Sequence, residues 1–312
     1  MVAPESAASA PAPPAPRPLS LAEYVPLAKP GITALITLVA VGGFLLADPQ
    51  SVNLLRLGIL VATGAAASAG AAMLNHYIDR DIDRRMKRTR GRPLADERVA
   101  SGSTVAAVGL LLLGGGVALA SVFLNLLTGF SIFLGGLTYV VVYTLWLKRR
   151  SSWNIVIGGF AGSAPALAGS AAALGTWTPG VLAFALLVFL WTPPHFWSLA
   201  LLLKDDYARA NLPMLPRMDD PAYSGKVVVV SAALLVPAAL LIGWTGALAW
   251  PVLLVVAVLG AVFVILTSPL WTSVTPRNAR RGFLYSGPYL LFVILAIAAN
   301  VGLLRLGVPS GF

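Results

Sequence analysis

Asn75, Asp79 and Asp83 recur at intervals of four residues within NHYIDRDIDRRMKRTRGRPL, positions 75 to 94. At about 100° per residue, each step of four overshoots a full turn by only about 40°, so on a helix the three share one face. Two carboxylates one turn apart, with an amide oxygen one turn deeper, are hard oxygen ligands of the kind Mg²⁺ accepts while keeping waters and sharing substrate phosphates. Lys87, Arg88, Arg90 and Arg92 follow directly, and guanidinium groups grip phosphate oxygens through paired hydrogen bonds. Met86 shares the face. Asp81 falls nearly opposite, as a salt-bridge partner for Arg84 or Arg85. Gly91 and Pro93 are expected to end the helix and fold the basic segment back. The competing interpretation is a solvated helix end whose charges cancel in pairs. The small-residue run ahead of Asn75 argues instead for a site at a membrane boundary with room for a cavity.

Two further segments carry candidates. The loop KDDYARANLPMLPR, 204 to 217, brings Asp205 and Asp206 to the end of an apolar stretch. Within that stretch, WTPPHFW places His195 beside Pro193 and Pro194, which free backbone carbonyls and bend a helix. An ionisable group inside a span is costly and marks function, although a His among aromatics also serves as hydrogen-bonded core. Lys148, Arg149 and Arg150 close the other segment, YTLWLKRRSSWNIVIGG. Taken alone, these three read as charge that sets topology.

The elements that must position these residues follow from composition. The chain has 312 residues, of which 58% are hydrophobic and 11% charged, with a mean hydropathy of +0.83, which marks an integral membrane protein. Nine apolar stretches have the length of about 17 to 25 residues that spans a bilayer as helix: roughly 28–47, 56–77, 102–122, 125–147, 153–174, 180–203, 226–246, 249–270 and 282–305. Residues 1–22 are expected to form a disordered Ala/Pro-rich tail, and 23–312 a single intramembrane domain. With the N-terminus cytoplasmic and the C-terminus outside, 20 of the 22 Lys and Arg fall on the inner side, the positive-inside pattern. That accounts for the net charge of +10 without nucleic acid. Absence of cysteine excludes disulfides, thiol nucleophiles and thiolate metal sites.

The stretch from Asn75 to Leu94, with YTLWLKRRSSWNIVIGGFAGSAPALAG, PPHFWSLA and DDYARANLPMLP, resembles the protoheme IX farnesyltransferases, or heme O synthases, of the intramembrane polyprenyltransferase superfamily. The similarity runs across nearly the whole chain after the tail. It implies an all-α membrane protein, a bundle of nine transmembrane helices around a lipid-accessible cavity. It also implies a bacterial plasma-membrane enzyme that moves the farnesyl group of farnesyl diphosphate, with addition of water, onto the 2-vinyl group of heme b. By the same resemblance Asn75, Asp79 and Asp83 hold diphosphate through Mg²⁺, Asp206 adds a metal ligand, and Arg88, Arg92, Lys148 and Arg149 grip the diphosphate. His195 would contact heme, either at the iron or by orienting the porphyrin, and heme A synthase is a candidate partner. Two departures from the wider superfamily stand out. His76 occupies a position where many relatives carry Asp, and neither Asp205 nor Asp206 has a carboxylate four residues away, which puts a second metal site in doubt. An anion transporter and a quinone- or chlorophyll-type prenyltransferase are the alternatives. The acidic pair at a span's end rather than the midplane disfavours the first, and the PHFW segment disfavours the second.

Overall fold

A computed structural model of the chain describes residues 19–95, 102–215 and 220–310; the expected tail lies outside the described residues up to position 18. Among the described residues, nine helices are long and apolar enough to cross a membrane. A short α1 (Leu21–Leu27) leads into α2 (Pro30–Ala47), then α3 (Leu54–Ile78), its continuation α4 (Arg80–Arg85), and α5 (Gly102–Phe123). The fourth span joins α6 (Leu126–Leu137) to a π-helical stretch, Thr138–Trp146, and a 3-10 turn, Leu147–Arg149. α7 (Asn154–Gly158) and α8 (Phe160–Leu174) share the fifth, and α9 (Pro179–Leu202) is the sixth, followed by α10 (Lys204–Arg209). α11 (Pro221–Ala233) with α12 (Leu235–Trp244), then α13 (Trp250–Thr267) with a 3-10 turn, then α14 (Pro276–Arg305) complete the bundle.

Helix starts carry the expected chemistry. The side chains of Asn53, Asn125, Thr178 and Asp220 each accept from the backbone N–H three residues on, and prolines open α2, α9, α11 and α14. Such caps satisfy donors that have no partner within the helix. α14 starts at Pro276 rather than near 282 because Thr275 caps it, which takes Arg277, Arg280 and Arg281 into its first turns. α9 continues through both Pro193 and Pro194.

Small residues then set how closely helices approach. A Cβ on Gly70 of α3 would lie 2.5 Å from the Gly109 carbonyl oxygen of α5, and one on Gly169 of α8 would lie 2.1 Å from that of Ala40 in α2. The main core surrounds α9, whose Phe184, Leu187 and Val188 pack among Ile242, Phe263 and Val293. A second cluster, with Ile82, Met86, Trp197, Tyr207 and Leu270, seats α4 and α10 on one end of the bundle.

Candidate active site

That end carries the charged residues. The helical ladder of α3 runs on into α4, the Asp79 N–H donating to the Asn75 carbonyl at 2.9 Å and the Asp83 N–H to that of Asp79 at 2.8 Å. Asn75, Asp79 and Asp83 are all buried. α4 ends at Arg85, where Met86 turns extended with ψ 129°, six residues earlier than Gly91 would have ended it. Met86 anchors this break by burying its side chain in the second core cluster.

Each acidic or amide group meets a cation. Lys29 Nζ donates to Asn75 Oδ1 at 2.6 Å and to the Tyr139 hydroxyl at 3.0 Å. Asn75 Nδ2 donates to Asp79 Oδ2 at 2.8 Å and to Thr144 Oγ1 at 3.0 Å, so both ends of the amide are assigned. Lys148 pairs with Asp79, and Arg92 donates to both oxygens of Asp83 at 2.9 Å. The Thr89 hydroxyl donates to the Asp83 carbonyl at 2.9 Å and holds the turn beneath it. Burial, then repulsion from Arg92, lowers Lys29 to about 8 against the pull of Asp79 and Asp83.

The π-helical stretch makes this convergence possible. The π winding is looser than an α-helix, with i→i+5 bonds, so Tyr139 and Thr144 diverge by less than the about 140° they would on an α-helix, and both reach the α3 side. The Thr144 hydroxyl closes the segment on the Tyr139 carbonyl at 2.7 Å.

The remaining candidates sit around this core. Arg149 holds Asp81 through two hydrogen bonds of 2.7 and 2.8 Å and also donates to the Ile78 carbonyl at 3.0 Å. That partner lies 68 positions away, beyond what spacing on one helix could reveal, and its bonds hold Asp81 below the usual carboxylate range. Asp206 is buried against the turn after α4. Its oxygens accept from the backbone N–H groups of Lys87 at 3.3 Å and Arg88 at 3.2 Å, and it pairs with Arg209. Burial raises the Asp206 pKa, but the N–H of Arg88 and the Arg209 guanidinium outweigh it and leave a net lowering. The Arg88 side chain is exposed above this clamp.

Among the described residues, no group of three or more His, Cys, Asp or Glu side chains converges as a metal site. A magnesium ion held by one or two carboxylates and completed by phosphate oxygens needs no such cage. One observation fits it: Asp79 Oδ1 is buried without a hydrogen-bond partner. His76, 3% exposed, also has both ring nitrogens unpartnered, with Nδ1 3.9 Å from Asp83 Oδ2.

Beneath the cluster opens a cavity of about 250 Å³. Lys29, Tyr139 and Tyr143 line its charged end, and Gly64, Ala67, Ala168 and Ile132 line an apolar interior. His195 and Phe196 line the same space. His195 stacks on Trp191 with ring centroids 4.6 Å apart, and its Nδ1 lies 2.6 Å from Ser286 Oγ. The structure thus joins Asn75, Asp79, Asp83, Lys148 and Arg92 in one network, and puts His195 in the cavity below it. Lys29, Tyr139, Thr144 and Ser286 were not singled out from sequence. Lys29 counted there only toward topology, and its place directly before Pro30 at the start of the first span was the available signal.

Comparison with known proteins gives this arrangement a family. The model of the UbiA prenyltransferase family matches residues 34–306. A protoheme IX farnesyltransferase of Sulfurisphaera tokodaii is 38% identical over 89% of this chain and 92% of its own length. One from Metallosphaera sedula is 41% identical over 88% and 94%, and protoheme IX farnesyltransferase 1 of Paramagnetospirillum magneticum is 39% identical over 90% and 99%. Among solved structures, a digeranylgeranylglyceryl phosphate synthase superposes with a TM-score of 0.72 at 17% identity, covering 90% of this chain and 98% of its own. A UbiA homolog from Archaeoglobus fulgidus bound to GPP and Mg2+ superposes at 0.66 with 15% identity, covering 88% and 99%. The chain belongs to the UbiA prenyltransferase family and, within it, to the protoheme IX farnesyltransferases. It is a multi-pass membrane prenyltransferase.

Proposed function

We propose that this enzyme transfers the farnesyl group of farnesyl diphosphate to the 2-vinyl group of heme b, with addition of water, giving heme O for terminal oxidases. The observation that carries the reading is a cavity that runs from Lys29 and Tyr139, which adjoin the carboxylate cluster through the bond from Lys29 to Asn75, to His195, within a family whose relatives include protoheme IX farnesyltransferases. Asp79 and Asp83, with the Asn75 amide oxygen, would hold Mg²⁺, which when bound neutralises diphosphate charge as a Lewis acid. The Archaeoglobus fulgidus homolog, bound to GPP and Mg2+, supports that pairing of ligands.

Lys29, Lys148 and Arg92 now lie on Asn75, Asp79 and Asp83. On substrate binding they turn from these groups to the diphosphate oxygens, with Arg88 joining from the turn. Contacts that strengthen as negative charge leaves with the diphosphate lower the barrier selectively. The bond from farnesyl C1 to oxygen breaks, C1 bonds to the terminal vinyl carbon, and the neighbouring carbon takes a water oxygen as a proton departs. The apolar lining keeps water from the allylic cation before the vinyl group reaches it. Arg149 braces the Ile78–Asp81 turn through its bonds to Asp81. Asp206, a metal ligand by resemblance, here holds the Lys87–Arg88 turn in place. The site faces the cytoplasm, with the N-terminus on that side and the C-terminus outside, and heme A synthase would take up the product.

The test is purified protein with heme b, farnesyl diphosphate and Mg²⁺, read by mass spectrometry of the heme. A heme heavier by one farnesyl group and one hydroxyl is expected. Unchanged heme, under conditions where the Sulfurisphaera tokodaii relative converts it, would refute the proposal.

A further inference from the structure

The geometry points to His195 as the ligand of the porphyrin iron through Nε2, with Ser286 as the positioning residue that leaves this nitrogen free. The inference rests on the heme reading above and adds the atom that binds and the group that prepares it. Ser286 has one hydroxyl proton and two close partners: the Phe283 carbonyl oxygen and His195 Nδ1, both at 2.6 Å. A carbonyl only accepts, so the Ser286 proton goes to Phe283. The contact to His195 is then a hydrogen bond in one arrangement alone, with Nδ1 carrying the hydrogen and Ser286 Oγ accepting it. A neutral imidazole protonated at Nδ1 keeps its lone pair on Nε2. That is the form in which histidine binds metals, with the second ring nitrogen donating to an outer partner.

The neighbourhood fixes this ring. Trp191 stacks on it at an interplanar angle of 16°, and Phe196 and Phe283 close on it with centroids at 5.2 and 5.3 Å. Trp191 also donates from Nε1 to the Ser286 carbonyl at 2.8 Å, so the residue that stacks on the imidazole also holds the helix carrying its hydrogen-bond partner. Ser286 is completely buried. Among the described residues lining the cavity, His195 is the only imidazole, with no carboxylate or thiolate beside it to compete for a transition metal. Seven residues from the end of α9 at Leu202, it lies about 10 Å along the helix from that end. Tyr143 and Lys29, at the charged end, line the same cavity.

Purified protein in lipid nanodiscs is titrated separately with ferric heme b and with metal-free protoporphyrin IX. Wild-type protein is expected to give a nitrogen-ligated Soret spectrum with heme. His195→Ala should lose that spectrum and at least tenfold in heme affinity, recover the spectrum on addition of imidazole, and bind the metal-free porphyrin as wild type does. Ser286→Ala should weaken heme binding about tenfold and, after reduction of the complex with dithionite, shift the ferrous iron–histidine stretch in resonance Raman, and Ser286→Thr should restore both. An unchanged heme spectrum in His195→Ala would overturn the inference. Equal losses for both porphyrins would also overturn it, because His195 would then act by packing on the ring. Failure of wild-type protein to bind either porphyrin would instead defeat the heme reading on which the inference stands.

Discussion

At the scale of single residues, the site is a set of buried charges that pair with one another. Asp79 is 1% exposed and its Oδ2 is shared by Asn75 and Lys148. Asp79→Asn keeps a polar group for both neighbours but removes the negative charge that the metal reading requires. Turnover is expected to fall at least about 100-fold, the scale seen when one preorganised electrostatic contact is lost, with helical circular dichroism unchanged; wild-type rates would refute the metal role. Lys148→Met has a different signature. It leaves a buried carboxylate uncompensated, at a cost of about 3–5 kcal/mol, so the unfolding temperature should drop in EDTA. Mg²⁺ should recover part of that loss by taking the place of the ammonium, and equal loss with and without Mg²⁺ would count against ion binding at Asp79.

At the scale of elements, a turn and an irregular helix position the site. Asp206 ties the Lys87–Arg88 backbone to α10 across 118 residues of sequence. Asp206→Asn should loosen this turn and raise KM for the prenyl diphosphate about tenfold, or ~1.4 kcal/mol, without moving the Mg²⁺ midpoint. A rise in that midpoint would return Asp206 to metal binding. The shared face of Asn75, Asp79 and Asp83 was legible in the sequence because it is a property of one helix at four-residue spacing. The partners of that face were not. Lys29 comes from 46 residues away and Thr144 from 69, and the π winding that aims Tyr139 and Thr144 leaves no mark in hydropathy. The early end of α4 at Met86 was hidden for a related reason: burial of its side chain in a distant cluster outweighed the turn residues Gly91 and Pro93.

At the scale of the molecule, the positions of the spans were readable to within about six residues, the largest differences being the starts at Pro221 and Pro276, because bilayer thickness imposes them, whereas the cavity depends on which small residues face a neighbour and which face space. Gly169 and Gly64 separate these cases. A side chain on Gly169 would strike the α2 backbone, while one on Gly64, which lines the cavity, meets nothing within 4 Å. Gly169→Leu should therefore destabilise the bundle by about 1–3 kcal/mol or more. Gly64→Leu should leave the unfolding temperature unchanged and lower kcat/KM for the farnesyl donor more than for a shorter prenyl diphosphate. An equal effect on both donors would place the prenyl chain elsewhere. Donor and acceptor are expected to meet in one cavity, the diphosphate at Asp79 and Asp83 and the porphyrin at His195. A structure of the protein with Mg²⁺, a non-hydrolysable farnesyl thiodiphosphate and heme b bound together tests it most directly. Phosphate oxygens should lie within reach of Lys29, Lys148 and Arg92 and the porphyrin iron beside His195, with the prenyl chain between them. Heme on an outer face of the bundle, or diphosphate away from the α3–α4 junction, would contradict it.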